Sequence, residues 1–173
     1  MSEIIDKEHQ SLKHQNKAKN GYEAEQYLTF MMANDEYGVD ILSVQEIHGW
    51  VDTRPIPNTP DFIKGVIDWR GTIVPIVDLR IKFEYSEANY TSTTVVIILK
   101  AEIETLGQSV IVGIVVDAVS DVYDITPDNI REAPNMGGNV DTQYIKGIAK
   151  IEDKMIVLLE LRKLINLEEL NQN

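Results

Sequence analysis

One pattern occurs twice in this chain of 173 residues. Phe62 to Arg80, FIKGVIDWRGTIVPIVDLR, aligns without a gap on Tyr144 to Arg162, YIKGIAKIEDKMIVLLELR. Ile63, Lys64, Gly65, Leu79 and Arg80 return as Ile145, Lys146, Gly147, Leu161 and Arg162, and most positions between them exchange one aliphatic residue for another. A repeated scaffold separates two kinds of residue, because what the fold requires must be present in both copies and what a function requires need not be. The copies diverge at their middle, where Asp68-Trp69-Arg70-Gly71 stands opposite Lys150-Ile151-Glu152-Asp153.

The periodicity around the repeat is that of strands. Tyr27 to Met32, the turn residues Asn34-Asp35-Glu36 and then Tyr37-Gly38-Val39 predict a hairpin. Two β-branched runs, Thr94 to Leu99 and Ser109 to Val116, predict a second hairpin with an acidic connection from Lys100 to Gly107. Val39-Asp40 and Ser43 find counterparts in Val116-Asp117 and Ser120, so each half reads as hairpin, irregular stretch, hairpin, short helix. Asp78 and Glu160 stand where an acidic residue caps a helix start. About five short strands per half, closed on themselves, predict two small β-barrels with a shared boundary. Met1 to Ala24 is polar with too little apolar periodicity to bury a face, and is read as a flexible tail; residues 168 to 173 are read as a second, shorter one.

Composition excludes several classes of function. Without cysteine there is no disulfide framework, thiolate nucleophile or thiolate metal site, which fits a reducing compartment. Sixteen basic against 28 acidic residues give a net charge of -12, which repels nucleic acid and anionic membrane surfaces. No run reaches the ~20 apolar residues of a membrane span and the first residues lack the pattern of a secretion signal, so a cytoplasmic location without membrane insertion is expected. His9 and His14 fall in the tail, and His48 has no histidine or cysteine at a ligand spacing, so it reads as a partly exposed surface residue. Met136-Gly137-Gly138-Asn139 lacks the lysine and helix of a phosphate loop. No enzyme, cofactor or metal is expected.

From Glu36, EYGVDILSVQEI; from Arg54, RPIPNTPDFIKGVIDWRGTIVPIVDLRIKF; from Val112, VGIVVDAVSDV: in this order the chain resembles the CheW family of bacterial chemotaxis adaptors from about Glu25 to Leu167. The resemblance implies two intertwined five-stranded SH3-like β-barrels with short helices. It also implies a non-enzymatic adaptor coupling the cytoplasmic tips of transmembrane chemoreceptors to the regulatory domain of the histidine kinase CheA, in rings beneath receptor arrays. Other copies of the chain as ring neighbours are left open. A coupler of a related pathway controlling pili or gene expression is the nearest alternative, and a small acidic hydrolase or an RNA-binding SH3-like barrel are more distant ones.

Candidate residues follow from both sources. Arg70 sits at a hairpin tip beside Gly71, where the other half carries Glu152, and arginine is over-represented at interface hot spots. The resemblance places a receptor-contacting arginine there. Its Asp68-Trp69 departs from the more usual Asn-Leu, and Trp69 either packs inward or enlarges the contact. DILSVQEI carries more aliphatic surface than one core needs. Leu42 is assigned to the core, whereas the resemblance puts Ile41, Val44, Glu46 and Ile47 near a groove between the barrels that receives a receptor helix, with Val95 adding floor. Gly65 is counted as structural because it recurs. For the kinase, Thr126-Pro127 opens a short helical turn, and by resemblance Arg131 and Met136, an aromatic position in the family, belong to a ring contact.

Overall fold

The computed structural model describes residues 23–85, 88–103, 106–134 and 140–165. The chain forms β1 (Glu25–Met32), β2 (Asp35–Asp40), β3 (Val44–Gly49), β4 (Ile63–Trp69), β5 (Thr72–Asp78), α1 (Leu79–Lys82), β6 (Val95–Ile103), β7 (Gln108–Val116), β8 (Ala118–Ile125), β9 (Ile130–Arg131), β10 (Ile145–Ile151), β11 (Lys154–Leu159) and α2 (Leu161–Leu164). One sheet runs β8-β1-β2-β11-β10-β9 and the other β3-β6-β7-β5-β4. Both predicted opening hairpins are present, yet neither closes on its own half of the sequence. β2 pairs in parallel with β11, Tyr37 opposite Val157, and β7 pairs in parallel with β5, Ile114 opposite Val77. Each sheet therefore unites the opening hairpin of one half with the closing hairpin of the other. The two barrels are intertwined, and one gains a sixth strand from the two-residue β9.

Exchange of hairpins explains the apolar runs. In Val96-Ile97-Ile98-Leu99 of β6, Val96 and Ile98 face the interior of the second sheet with Val74, Ile76 and Val115, while Ile97 and Leu99 face the other way. That other face meets Leu28, Phe30, Met32, Tyr37 and Val39 from the first sheet, with Leu79, Phe83, Leu161 and Leu164 from the helical ends. A strand buried on both faces loses the alternation of a half-exposed one and reads as an unbroken apolar run. The largest cluster of buried residues thus lies between the barrels, where the sequence predicts the shared boundary. A smaller core of Tyr27, Ile125, Ala149, Ile156 and Leu158 fills the first barrel.

The equivalence of the halves is closer than the sequence suggests in one place and shifted in another. Ile63–Trp69 and Thr72–Asp78 pair with an irregularity between Ile63 and Gly65; Ile145–Ile151 and Lys154–Leu159 pair with the same irregularity between Ile145 and Gly147. Gly38 lies opposite Leu158, and Gly113 opposite its counterpart Ile76, so these two glycines correspond and the expected pairing of Val39-Asp40 with Val116-Asp117 is two residues out of register. The connection expected from Lys100 to Gly107 is mostly strand: Lys100, Ala101 and Glu102 pair with Ile111, Val110 and Ser109, and the buried Ala101 between two exposed charges keeps the ladder's alternation.

Why Gly65 and Gly147 recur is visible in both places. A Cβ on Gly65 would stand 2.1 Å from the Arg54 carbonyl oxygen, and one on Gly147 would stand 2.4 Å from Ile130 Cγ2 and 2.9 Å from the Arg131 carbonyl oxygen. In each barrel a glycine lets the chain after an earlier strand cross against the hairpin, by the Arg54–Val66 bridge in one and the β9–β10 ladder in the other. Gly65 also has φ +129°. Gly65→Ala is expected to destabilise by about 2–3 kcal/mol through strain and loss of that crossing, read as a lower urea midpoint.

Of the expected caps, Asp78 accepts a hydrogen bond from the Arg80 backbone N–H at 3.0 Å, whereas neither Glu160 nor Thr126 makes a side-chain cap bond. Pro127–Asn129 is a single 3-10 turn.

Candidate functional site

Strands β3 and β4 are the two outermost strands of their sheet, and its curl brings them together. Glu46 and His48, two residues apart on β3, project on the same side. Trp69 ends β4 on the far edge, and its indole Nε1–H donates to Glu46 Oε2 across the seam. His48 Nε2 lies 3.0 Å from the same oxygen. The carboxylate is only 14% exposed.

Arg70 and Gly71 form the two-residue turn to β5. Both have positive φ, +51° and +81°, the conformation that matches the twist of an antiparallel hairpin. Asp68 Oδ1 tightens the turn by accepting the Gly71 N–H at 2.9 Å. Arg70 is 63% exposed; its Cζ lies 5.2 Å from the Trp69 ring centroid and its Nη2 is 3.7 Å from Glu46 Oε1, an ion pair beyond hydrogen-bond reach. Around these groups is an open pocket of about 660 Å³ whose wall includes Asp52, Arg54, Val66, Ile67 and the exposed Ile73. It offers a charged fork, a fixed carboxylate and aliphatic surface, the components of a peptide-docking face.

Burial raises the Glu46 pKa, but the Trp69 N–H, the positive charges of His48 and Arg70 and the His48 hydrogen bond outweigh it, leaving the carboxyl below its ordinary 4.5. A depressed carboxylate contributes stability that is present above the ordinary value and is lost as pH falls through the folded one. Glu46→Gln is therefore expected to be less acid-sensitive than wild type when urea midpoints are compared between pH ~6 and ~3.

Among the sequence candidates, Glu46 and Arg70 are brought together. Ile47 and Val95 are half-buried against the core between the barrels and do not line the pocket. Ile41 and Val44 are 2% and 0% exposed and belong to that core, so as aliphatic anchors open to a partner they are corrected to scaffold. The reason is local. Asp40 caps a 3-10 turn, Ile41–Ser43, by accepting the Leu42 N–H at 2.9 Å, which turns Ile41 inward and Leu42 outward. Leu42, assigned to the core from sequence, is 67% exposed. Of the two roles left open for it, Trp69 takes the inward one, half-buried against the cluster of Val74, Ile76, Val96, Ile98 and Val115, and its indole N–H bonds Glu46. His48 is a surface residue as expected, but its role beside Glu46 was missed; the spacing of two along a strand was the available signal. Arg131 lies exposed on β9, its Nη1 donating to the Asp128 carbonyl at 2.8 Å, and Arg54 occupies the corresponding crossing in the other barrel. Met136 and the glycine loop around it lie outside the described residues, as do residues 1–22 and 168–173 of the expected tails.

The family described as the CheW-like domain matches residues 26–169. The chain belongs to the CheW family. It is 47% identical over 146 residues to a chemotaxis protein CheW of Klebsiella aerogenes, covering 84% of each chain. It is 33% identical to a probable chemotaxis protein CheW of Rhizobium etli, covering 80% of this chain and 86% of that one. The crystal structure of the scaffolding protein TtCheW from Thermoanaerobacter tengcongensis superposes with a TM-score of 0.70 at 35% identity, over 79% of this chain and 89% of that chain. As a CheW-family member the chain is a non-enzymatic scaffolding protein of chemotaxis. Among the described residues no helix is long and apolar enough to cross a membrane.

Proposed function

We propose that this CheW-family scaffold couples the cytoplasmic tips of transmembrane chemoreceptors to the regulatory domain of the histidine kinase CheA in arrays at the inner face of the membrane. The observation that carries the receptor side is the pocket at the closed edge of one barrel, where Arg70 projects 63% exposed beside a held Glu46. The corresponding turn of the other barrel also opens on a residue of positive φ but carries Glu152 there, so that backbone conformation does not require arginine. Receptor docking engages Glu46 and Arg70 with Ile73 as apolar surface; Leu42 supplies a further exposed aliphatic group near the cleft lined by Lys146 and Arg162. The kinase side uses the exposed Arg131, with Met136 as a neighbour in sequence, and other copies of the chain compete for the same ring positions. Each contact is small, and repetition in an array multiplies their combined strength.

The test is co-sedimentation of purified protein with receptor-containing membranes and CheA, reading kinase activity. Receptor-dependent activation that requires this protein is the expected result. Sedimentation with neither partner overturns the proposal.

A further inference from the structure

Each barrel carries a two-residue hairpin turn that opens on a residue of positive φ, +51° at Arg70 and +54° at Glu152, but at its base one has Trp69 and the other Ile151. Isoleucine packs the corresponding place in the first barrel, so filling the core does not by itself call for an indole. What the indole adds is polar and directional. Its N–H reaches across the seam to Glu46 Oε2, and its ring lies 5.2 Å from the Arg70 guanidinium. With His48 on the same oxygen at 3.0 Å, Glu46 leaves Oε1 facing Arg70 at 3.7 Å, near enough to orient the guanidinium by charge and too far to occupy its donors.

An arginine on an exposed turn otherwise samples many rotamers and must lose them on binding. A ring beneath it and a fixed carboxylate beside it remove part of that cost beforehand. We propose that Trp69 is a positioning residue for Arg70: its clasp on Glu46 holds the guanidinium as an oriented, unsaturated fork that selects a docking segment with an acidic side chain able to accept it bidentately. This rests on the receptor-face reading above. Beyond Glu46, the ionisable groups on the pocket wall are His48, Asp52, Arg54, Asp68 and Arg70 itself.

Three measurements on the intact chain test it. In the free protein the Trp69 indole N–H resonance, assigned against Trp50→Phe, is expected to move as Glu46 titrates and to lose that movement in Glu46→Gln. In Trp69→Phe, which keeps a ring and removes the donor, the Arg70 side-chain Nε–H is expected to become more mobile by relaxation measurements. Affinity for the soluble cytoplasmic fragment of a chemoreceptor is expected to fall about tenfold in Trp69→Phe at unchanged Arg70, as for loss of one charge-assisted hydrogen bond. A receptor fragment with the contacting carboxylate changed to its amide is expected to lose this sensitivity. If Trp69→Phe unfolds, Glu46→Gln, which preserves shape, is expected to loosen Arg70 in the same direction.

Equal Arg70 mobility in wild type and Trp69→Phe overturns the positioning role, and so does affinity within about twofold of wild type, a change too small for the loss of such a bond. Failure of wild type to bind the fragment while Trp69→Phe still loosens Arg70 supports the positioning role and overturns the docking reading on which the acidic partner rests.

Discussion

Arg80→Met is expected to destabilise the protein by about 3–5 kcal/mol, the range for removing one partner of a buried ion pair and leaving the other uncompensated. Arg80 is 2% exposed and Asp78 fully buried. The guanidinium pairs with Asp78 through Nε at 3.0 Å and Nη2 at 2.9 Å, and its Nη1 reaches Asp117 Oδ1 at 3.0 Å and the Asn89 carbonyl at 2.7 Å. Tyr90 donates to Asp78 Oδ2 at 2.8 Å and lays its ring 5.1 Å from the guanidinium. Asp117 Oδ2 in turn accepts the Ala33 N–H at 2.7 Å, in the turn between β1 and β2. One arginine therefore ties the end of β5, the segment before β6, the β7–β8 junction and the β1–β2 turn, elements from both barrels. Burial favours a neutral Arg80, yet its hydrogen bonds and charges push its pKa further up, so it stays charged at any working pH. Methionine matches its bulk but strands the Asp78 carboxylate. A urea midpoint lowered with unchanged slope is the expected measurement; a midpoint near wild type would show that water reaches the site and the pair contributes little.

Arg70→Glu is expected to leave folding intact and to remove receptor coupling. An exposed turn residue away from the core changes stability by about 0.5 kcal/mol or less, and the 3.7 Å ion pair with Glu46 adds little at this exposure. The backbone tolerates the new side chain, since Glu152 already holds φ +54° at the corresponding turn. For docking the change is severe, because it places a third carboxylate beside Glu46 and Asp68 and repels the acidic partner that the arginine would pair. Loss of a central arginine contact costs about 2 kcal/mol or more, a fall of about thirtyfold or greater in affinity. Sedimentation with receptor membranes should drop accordingly while binding to the kinase persists. Loss of both at once would place Arg70 among the residues that hold the fold.

The repeat made much of this legible in the sequence. Among residues present in both copies, Gly65 and Gly147 turn out to be scaffold that admits a crossing chain, and Lys64 and Lys146 each lie over a tyrosine ring, 5.8 Å from Tyr90 and 5.2 Å from Tyr27, whereas Arg80 is buried and its repeat Arg162 is exposed. Arg70, where the copies differ, is exposed and beside a pocket. Aliphatic residues near the same face were misread, since a run such as Ile41-Leu42-Ser43-Val44 does not reveal which way a single 3-10 turn will rotate it. Capping by Asp40 decided that, with Leu42 outward and its neighbours inward.

The sequence alone determined the hairpins and the division of residues into repeated core and divergent tip, because periodicity and turn chemistry are local, though it read the outer part of the β6–β7 hairpin as connection. Only the tertiary structure decided which hairpin closes which barrel. β2 joins β11 and β7 joins β5, pairings between segments far apart in sequence whose apolar faces are interchangeable in composition and are distinguished only when both barrels pack on their common core. The same closure brings the two edges of one sheet together and sets Trp69 against Glu46, making a site from residues that no sequence spacing connects.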